Sequence, residues 1–185
     1  MPRPTLQVLL AIALVLAANY YWSPLTSQSP DPQAMKRQGE LPQTYIEHTR
    51  AWSFDDSGEL TDILEADRVE QFQQGSVSLL TKPRFYAHSG NDKTWSAVAD
   101  RGRFETHRER LLLRKKVVLI HDQTGTRMDT HALDIEVDDK IATSQKPVTL
   151  TQGDNRTTAE GLIANLNDET FILKANVESI YEPLP

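Results

Sequence analysis

Residues 94–100 read Thr94-Trp95-Ser96-Ala97-Val98-Ala99-Asp100, and this short stretch sets a pattern that the rest of the chain repeats. Trp95, Ala97 and Ala99 alternate with three residues of the opposite parity. Such alternation is typical of a β-strand, whose successive side chains point to opposite faces. We predict that the tryptophan and both alanines face the interior, and that Gly90-Asn91 forms the preceding turn.

The same unit recurs four times, at intervals of about 30 residues. Each copy has a turn, a strand with an alanine, a break and a second apolar strand. The alanines are Ala66, Ala99, Ala132 and Ala159, and the second strands begin beside Pro83, Lys116, Pro147 and Asn176, which follow the alanines by 17, 17, 15 and 17 residues. A fixed period of this size indicates stacked units that share one interior. The chain is therefore predicted to be all-β, an antiparallel β-jellyroll of two facing sheets with an open slot, over residues 43–182.

The inward faces of these strands are predicted to line the slot. The break after each alanine is expected to shift the alternation by one residue. The candidate lining residues are Leu64, Ala66, Val69, Phe85, Trp95, Ala97, Ala99, Phe104, Val117, Leu119, Ile135, Val148, Leu150, Leu162, Phe171, Val177 and Tyr181. Gly102, Val137 and Leu166 are placed inward by the same shift.

The N-terminal part has a different character. Residues 6–22 carry no charge, and as a helix they would extend about 26 Å, close to the shortest length that spans a bilayer. The run ends in Tyr20, Tyr21 and Trp22, aromatic residues typical of a membrane interface, so an uncleaved transmembrane helix is favoured over a cleaved signal peptide. Residues 1–5 would be a short cytoplasmic end and residues 23–42 an extended periplasmic spacer. The distribution of Lys and Arg alone does not fix this orientation.

Composition excludes several function classes. The formal net charge of −6 disfavours nucleic-acid binding, and the lack of cysteine excludes disulfides and thiolate metal sites. The histidines have no spacing typical of a metal site, so we interpret them as surface or turn residues; they are His48, His88, His107, His121 and His131. We read residues 55–59 as a hairpin turn. No catalytic residue, metal or cofactor is predicted.

A cluster of cations lies on two neighbouring predicted strands. It comprises Arg101, Arg103, Arg108, Arg110, Arg114, Lys115 and Lys116. These side chains are either solvated outer positions or contacts for an anionic glycolipid or an acidic partner, and the sequence leaves both interpretations open.

Three segments resemble one known family. Residues 94–100 resemble the W-S-x-x-A-D segment of the LptC-like lipopolysaccharide export proteins, in the LptA/LptC/OstA-like β-jellyroll family. Residues 80–83 (Leu-Thr-Lys-Pro) resemble its T-x-P turn, and residues 177–182 resemble its final strand. The order of anchor, spacer and repeated β-domain is also similar, so the resemblance covers essentially the whole chain.

The resemblance implies a function in outer-membrane biogenesis of Gram-negative bacteria. LptC-like proteins are single-pass inner-membrane proteins that accept lipopolysaccharide from the LptBFG transporter and pass it to LptA in the periplasm. They are not enzymes. The chain itself has no G-x-x-x-x-G-K-[ST] phosphate loop, so any energy for transport must come from a partner.

Stacked-repeat sheets leave strand edges at their two ends, and such edges can pair with a strand of another chain. We expect the transporter at the N-terminal edge and LptA at the C-terminal edge. The candidate edge residues are Tyr45, Trp52, Phe54, Val177, Ser179 and Tyr181. An alternative function is a membrane-tethered β-scaffold that assembles envelope partners without binding lipid.

Overall fold

The computed structural model describes residues 42–72, 76–89 and 92–181. Within them the chain forms antiparallel strands and one short 3₁₀ helix at Thr106–Arg108. The strands are β1 Thr44–Phe54, β2 Leu60–Gln71, β3 Val77–Thr81, β4 Arg84–Ser89, β5 Asp92–Val98, β6 Arg101–Glu105, β7 Arg110–His121, β8 Thr126–Glu136, β9 Ile141–Ser144, β10 Val148–Gln152, β11 Asn155–Ala159, β12 Gly161–Asn165, β13 Thr170–Lys174 and β14 Glu178–Ile180. The prediction of an all-β, antiparallel fold is confirmed.

One continuous hydrogen-bonded sheet contains every strand, and it folds over on itself. Strand β2 shows how: it pairs with β4 through residues 62–65 and with β3 through residues 68–71. Strands β7 and β8 change neighbours in the same way, β7 from β6 to β5 and β8 from β10 to β9. The two halves of each long strand therefore belong to two different layers.

The registers assign every strand to these layers. The first layer runs β1 (49–54), β2 (60–66), β4, β5, β7 (117–121), β8 (126–130), β10, β11 and β14. The second runs β1 (44–47), β2 (68–71), β3, β6, β7 (110–114), β8 (132–136), β9, β12 and β13. Long strands cross from one layer to the other, along what we call the fold line.

The predicted breaks lie on this fold line. Lys82 and Lys116 adopt left-handed backbone conformations with φ of 48° and 48°, and Pro83 separates β3 from β4. Backbone hydrogen bonds tie neighbouring corners together, from Lys82 N to Asp100 O and from Asp100 N to Lys115 O, both at 3.0 Å. The repeat seen in the sequence is thus one passage across the fold line and back.

Burial shows the expected shift in alternation at these corners. Ala66 is buried in the first layer, whereas three residues later Val69 packs against the core from the second layer. Ala159 and Leu162 are related in the same way, and both are buried. At each corner the alternation therefore shifts by one residue, so that inward-facing side chains have one parity in the first layer and the other parity in the second.

The predicted anchor (residues 6–22) lies outside the described residues, as does the predicted spacer except for Pro42. Within the part of the chain that the structure describes, no helix has the length and apolar character needed to cross a membrane. Of the predicted turns, Gly90-Asn91 is not described, whereas Ser57-Gly58, Thr124-Gly125 and Gly153-Asp154 are observed as turns.

Candidate functional site

The two layers enclose an apolar interior that contains most of the predicted lining residues. Those buried there are Ala66, Phe85, Trp95, Ala97, Ala99, Val117, Leu119, Ile135, Val148 and Leu162. Those half-buried against this core are Leu64, Val69, Phe104, Leu150 and Phe171. The interior does not include Val177 and Tyr181, which are 49% and 72% exposed beside the short edge strand β14. These two residues follow the last corner, and β14 pairs only with β11 among the described strands.

The centre of the interior is filled by side chains that sequence reasoning missed. Leu111, Leu113 and Leu133 have no measurable exposure, and Met128 is 1% exposed. Residues 111–113 are three consecutive leucines, so the alternation of apolar and polar residues that indicates the inward face is absent there. A sequence signal was present for Leu133, which shares the parity of the predicted inward residues Ile135 and Val137. Met128 is placed inward only by the observed register, in which it pairs with Leu119.

A cavity of about 270 Å³ lies at the β1 end of the interior. Apolar side chains from both layers form most of its wall, among them Leu80, Phe85 and Phe104. On β1 the inward positions carry the small residues Thr49, Ala51 and Ser53, which leave this space unfilled. The remaining lining residues are Asp62, Leu64, Glu65, Ala66, Val69, Ser78, Leu111 and Val137. The volume is slightly below the range of about 300–1,000 Å³ usual for small-molecule pockets.

Opposite the fold line, three side-chain contacts hold the layers together, and we call this side the seam. Lys140 Nζ in the β8–β9 turn of the second layer forms an ion pair with Asp62 in the first. Trp95 Nε1 donates a 2.8 Å hydrogen bond to the backbone carbonyl of Leu166. The third contact brings His121 Nε2 within 3.3 Å of a Glu169 carboxylate oxygen, without the angle of a hydrogen bond.

His121 corrects the prediction that all five histidines lie at the surface or in ordinary turns. It directly precedes a turn, but it is only 2% exposed and stacks edge-on against Trp95, with ring centroids 4.5 Å apart. The backbone N–H of Thr124 donates to its Nδ1 at 3.2 Å, so the neutral ring carries its proton on Nε2. Among the described residues, no group of three or more His, Cys, Asp or Glu side chains could hold a metal ion.

The candidate edge residues lie on strands with a free side. Strand β1 pairs only with β2 among the described strands, and its Tyr45, Trp52 and Phe54 are 60%, 53% and 62% exposed. At the other end, Ser179 is exposed on β14, between the exposed Val177 and Tyr181. Both ends of the described sheet therefore present unpaired backbone and large apolar side chains.

Charged side chains on the outer surface form local ion pairs. Hydrogen bonding from Lys82, with a further contribution from Arg84, lowers the pKa of Asp67. The carboxylate of Glu65 accepts a hydrogen bond from Arg84 and, with Asp67, raises the pKa of that guanidinium. Hydrogen bonding to Asp129, with a smaller contribution from its charge, likewise raises the pKa of Arg127. These pairs lie on exposed faces, where each contributes little to stability.

Two turns show opposite carboxylate shifts. In the β1–β2 turn, Asp55 accepts hydrogen bonds from the Ser57 hydroxyl at 2.7 Å and from backbone N–H groups, and these lower its pKa. This geometry confirms the predicted hairpin turn at residues 55–59. At the end of the 3₁₀ helix, the neighbouring Asp138 carboxyl raises the pKa of Glu109 through a hydrogen bond and like charge.

The basic cluster is mostly paired with acidic neighbours. Glu105 accepts from Arg110 at 3.1 Å and lies 3.3 Å from Arg103 and 3.9 Å from Arg108. Arg114 bonds to Asp134, whereas Arg101 donates to the hydroxyl of Thr81. This pairing favours the interpretation of these cations as solvated outer positions over that of a dedicated anion site.

Comparison with known proteins identifies the family. A family model described as "Lipopolysaccharide-assembly, LptC-related" matches residues 10–182. The chain belongs to the LptC-related family. Membership indicates a role in lipopolysaccharide transport in the cell envelope. The family segments have clear places in this LptC-related fold: Trp95 lies in its interior and Pro83 on its fold line.

One solved structure similar to this LptC-related chain is that of LptH, described as the LptA homologous periplasmic component of the conserved lipopolysaccharide transport device from Pseudomonas aeruginosa. The match has 12% identity and a TM-score of 0.32, and it covers 79% of this chain and 99% of that one. No curated protein matches the sequence significantly.

Proposed function

We propose that the chain is an inner-membrane-anchored, periplasmic component of lipopolysaccharide transport. In this function it receives lipopolysaccharide from the LptBFG transporter and passes it to LptA through its apolar interior. The observation that carries the proposal is an apolar interior spanning a sheet with exposed edge strands, β1 at one end and β14 at the other. The chain binds and transfers lipid without catalysing a reaction.

The physical basis is the cost of exposing hydrocarbon to water. Each CH₂ group transferred from water to an apolar environment gains about 0.8 kcal/mol, so a chain of about 12 carbons would lose roughly 9 kcal/mol in water. An apolar interior removes this cost while the sugars remain outside. The membrane stabilises acyl chains equally well, so extraction requires energy from a partner.

The interior must rearrange to hold such a chain. Side chains such as Leu113 and Leu133 fill its centre, and the cavity at the β1 end has a volume of about 270 Å³. An acyl chain that enters must therefore separate the layers or displace side chains. The same filled centre favours the second candidate function, a membrane-tethered scaffold that assembles envelope partners and binds no lipid.

The partners are assigned to the two edges. Strand β1, with Tyr45, Trp52 and Phe54, is proposed to meet the transporter, and β14 with its flanking residues is proposed to meet LptA. Both contacts would extend the sheet by β-augmentation, in which backbone hydrogen bonds provide affinity and exposed side chains provide specificity. Residues 6–22 are proposed to anchor the chain, with residues 1–5 in the cytoplasm and residues 43–182 in the periplasm.

Photo-crosslinking distinguishes lipid carriage from scaffolding. A benzophenone amino acid replaces Phe85, which is 2% exposed and lines the cavity, or its neighbour Tyr86, which points to the opposite face of β4. In energised membranes, the probe at 85 should capture lipopolysaccharide and the probe at 86 should not. A second pair compares Trp95 with Val98, on opposite faces of β5. Capture at neither inward position, in folded protein that still binds its partners, would leave only the scaffold.

A further inference from the structure

The ion pair between Asp62 and Lys140 is unusual in its burial. The side chains are 6% and 12% exposed, and they come from different layers, 78 residues apart in the chain. Two charges removed from water incur a large desolvation penalty, and an apolar pair of similar size would often be equally stable. Stability alone therefore does not explain why this position is charged.

The two residues of the pair line two different cavities. Asp62 lines the apolar cavity of about 270 Å³ at the β1 end of the interior. Lys140 lines a second cavity of about 200 Å³, whose wall is mostly polar and includes His88, Gln123 and Glu169. The ion pair therefore joins a residue of the apolar cavity wall to a residue of the polar cavity wall, and its opening would remove a contact between the two walls.

The seam is the side on which the layers can separate. Along the fold line, β1, β2, β7 and β8 pass from one layer to the other, so covalent backbone joins the layers there. Along the seam, the turns at 137–140 and 166–169 contact the first layer without crossing backbone. Lys140 and Glu169 contribute their side chains, and Leu166 contributes its backbone carbonyl. These two turns are bonded together, since Leu166 N donates to Lys140 O at 2.8 Å, and this bond favours their movement as one unit.

A polar seam also opens at a lower cost than an apolar one. When the layers separate, the carboxylate and the ammonium regain hydration, which offsets the loss of their mutual attraction. An apolar contact of the same area would gain nothing from exposure to water. The ion pair thus fixes the relative position of the layers in the closed state. It also keeps the free-energy cost of separating them low.

We propose that Asp62 and Lys140 form the gate of a lateral portal through which an acyl chain enters the interior between the turns of the seam. The proposal rests on the proposed function, because it names the route to the same apolar interior. Breaking the pair extends the β1-end cavity outward to the seam. The gate residues position the layers and do not need to touch the lipid.

Thiol labelling tests the gate without lipid, because the natural chain contains no cysteine. A reporter cysteine replaces Ala66, which is 2% exposed and lines the apolar cavity. In Asp62→Asn, labelling of this cysteine by a small maleimide should be at least about tenfold faster, since one charge of a buried pair loses its partner. The reversed pair Asp62→Lys/Lys140→Asp should restore slow labelling. The apolar pair Asp62→Leu/Lys140→Met keeps the fold if the single variant is too unstable, and it should label more slowly than the natural pair.

A control removes an exposed ion-pair group near the fold line. Asp67→Asn breaks the contacts of Asp67 with Lys82 and Arg84, both at 3.2 Å, and should leave the labelling rate unchanged. Equal labelling rates in the natural, Asp62→Asn and Asp62→Leu/Lys140→Met backgrounds would overturn the gate. So would an equal acceleration in Asp67→Asn.

Lipid capture separates the gate from the function on which it rests. Lipopolysaccharide is added to the full-length chain that carries the benzophenone probe at position 85 in place of Phe85. The rate of crosslinking to the lipid should be lower in Asp62→Leu/Lys140→Met than in the natural background. Equal capture rates alongside different labelling rates would overturn the portal and leave lipid carriage intact. Absence of capture from the natural background, with labelling still gated, would overturn lipid carriage and with it the portal.

Discussion

The indole nitrogen of Trp95 donates a 2.8 Å hydrogen bond to the backbone carbonyl of Leu166, which lies 71 residues further along the chain and in the opposite layer. The same ring packs edge-on against Phe171 of β13, with centroids 5.5 Å apart. One side chain therefore links the first layer, the second layer and the seam. Because Trp95 is buried, the loss of this contact should have a measurable effect on the free energy of unfolding.

Trp95→Phe should lower the free energy of unfolding by about 2–3 kcal/mol, because it leaves a buried carbonyl unpaired and a small cavity beside Phe171. Chemical denaturation followed by circular dichroism measures the change. The control is Trp52→Phe on β1, where the side chain is 53% exposed and the effect should stay within about 0.5 kcal/mol. Similar losses in the two variants would contradict the assigned role of the Trp95 contact.

Gly102 permits the close approach of two strands at the fold line. A Cβ atom built there would lie 2.9 Å from Pro83 Cγ and 3.3 Å from two Leu80 atoms. Gly102→Ala should therefore destabilise the fold by about 1–3 kcal/mol through overpacking. Pro83→Ala removes the clashing Cγ, so the double variant should lose less stability than the sum of the two single variants. Additive losses would show that the clash with Pro83 is not the cause.

The contribution of Glu109 to stability should be less favourable at neutral pH than at mildly acidic pH. Asp138 raises the pKa of Glu109, so the folded state binds this proton more tightly than the unfolded state does. The stability that the protonated group provides is present below its unfolded pKa of about 4.3 and is lost as the pH rises through the raised folded value. Glu109→Gln should thus raise the free energy of unfolding at pH 7, and this gain should disappear near pH 4.

Denaturation curves from pH 3 to pH 8 measure this difference. Glu178→Gln on the edge strand β14 is the control, because Glu178 is an exposed carboxylate on a different strand. A Glu109→Gln effect that stays constant across the pH range would contradict repulsion from Asp138.

The two edges should bind different partners. Trp52→Ala should weaken co-isolation with LptBFG at least tenfold and leave LptA binding unchanged, because exposed aromatic side chains often dominate binding energy. Tyr181→Ala should have the opposite selectivity. Pull-down of the full-length chain from detergent extracts, with each partner quantified separately, measures both effects.

Leu79→Ala is the matched control for both edge variants. Leu79 is 40% exposed, but its strand β3 lies between β2 and β6 and has no free side. It should affect neither partner. Loss of both partners in either edge variant, with normal thermal stability, would show that the two binding sites are not separated as proposed.

Much of the fold could be predicted because its signals are local. Alternation indicated the strands, and the pattern of an alanine followed by a break indicated the fold line. Ala66 lies where the long strand β2 changes layer, and Pro83 separates the short strands β3 and β4. Alternation also predicted that Trp95, Ala97 and Ala99 face inward, and all three are buried. The prediction was poorer where local pattern was weak, as in the leucine run at residues 111–113.

The candidate site depended more on distant contacts. No pattern in the sequence paired Asp62 with Lys140, and none indicated that His121 would be buried beside Trp95. The exposure of Val177 and Tyr181 was missed because their alternation continues past the last corner, where β14 has no further neighbour to cover it among the described strands. The burial of a side chain depends on which strands pack against it, and the alternation of residues within one strand contains no information about that packing.

By itself the sequence determined the β-structure, the four-fold repeat, the parity of most inward residues and the resemblance to the LptC-like family, since these follow from side-chain periodicity and short motifs. Only the tertiary structure decided which strands form each layer, how far side chains fill the interior, and which contacts close the seam. Those features arise from residues that are distant in the chain, 71 positions apart for Trp95 and Leu166 and 78 for Asp62 and Lys140, and their energies depend on packing between separate segments.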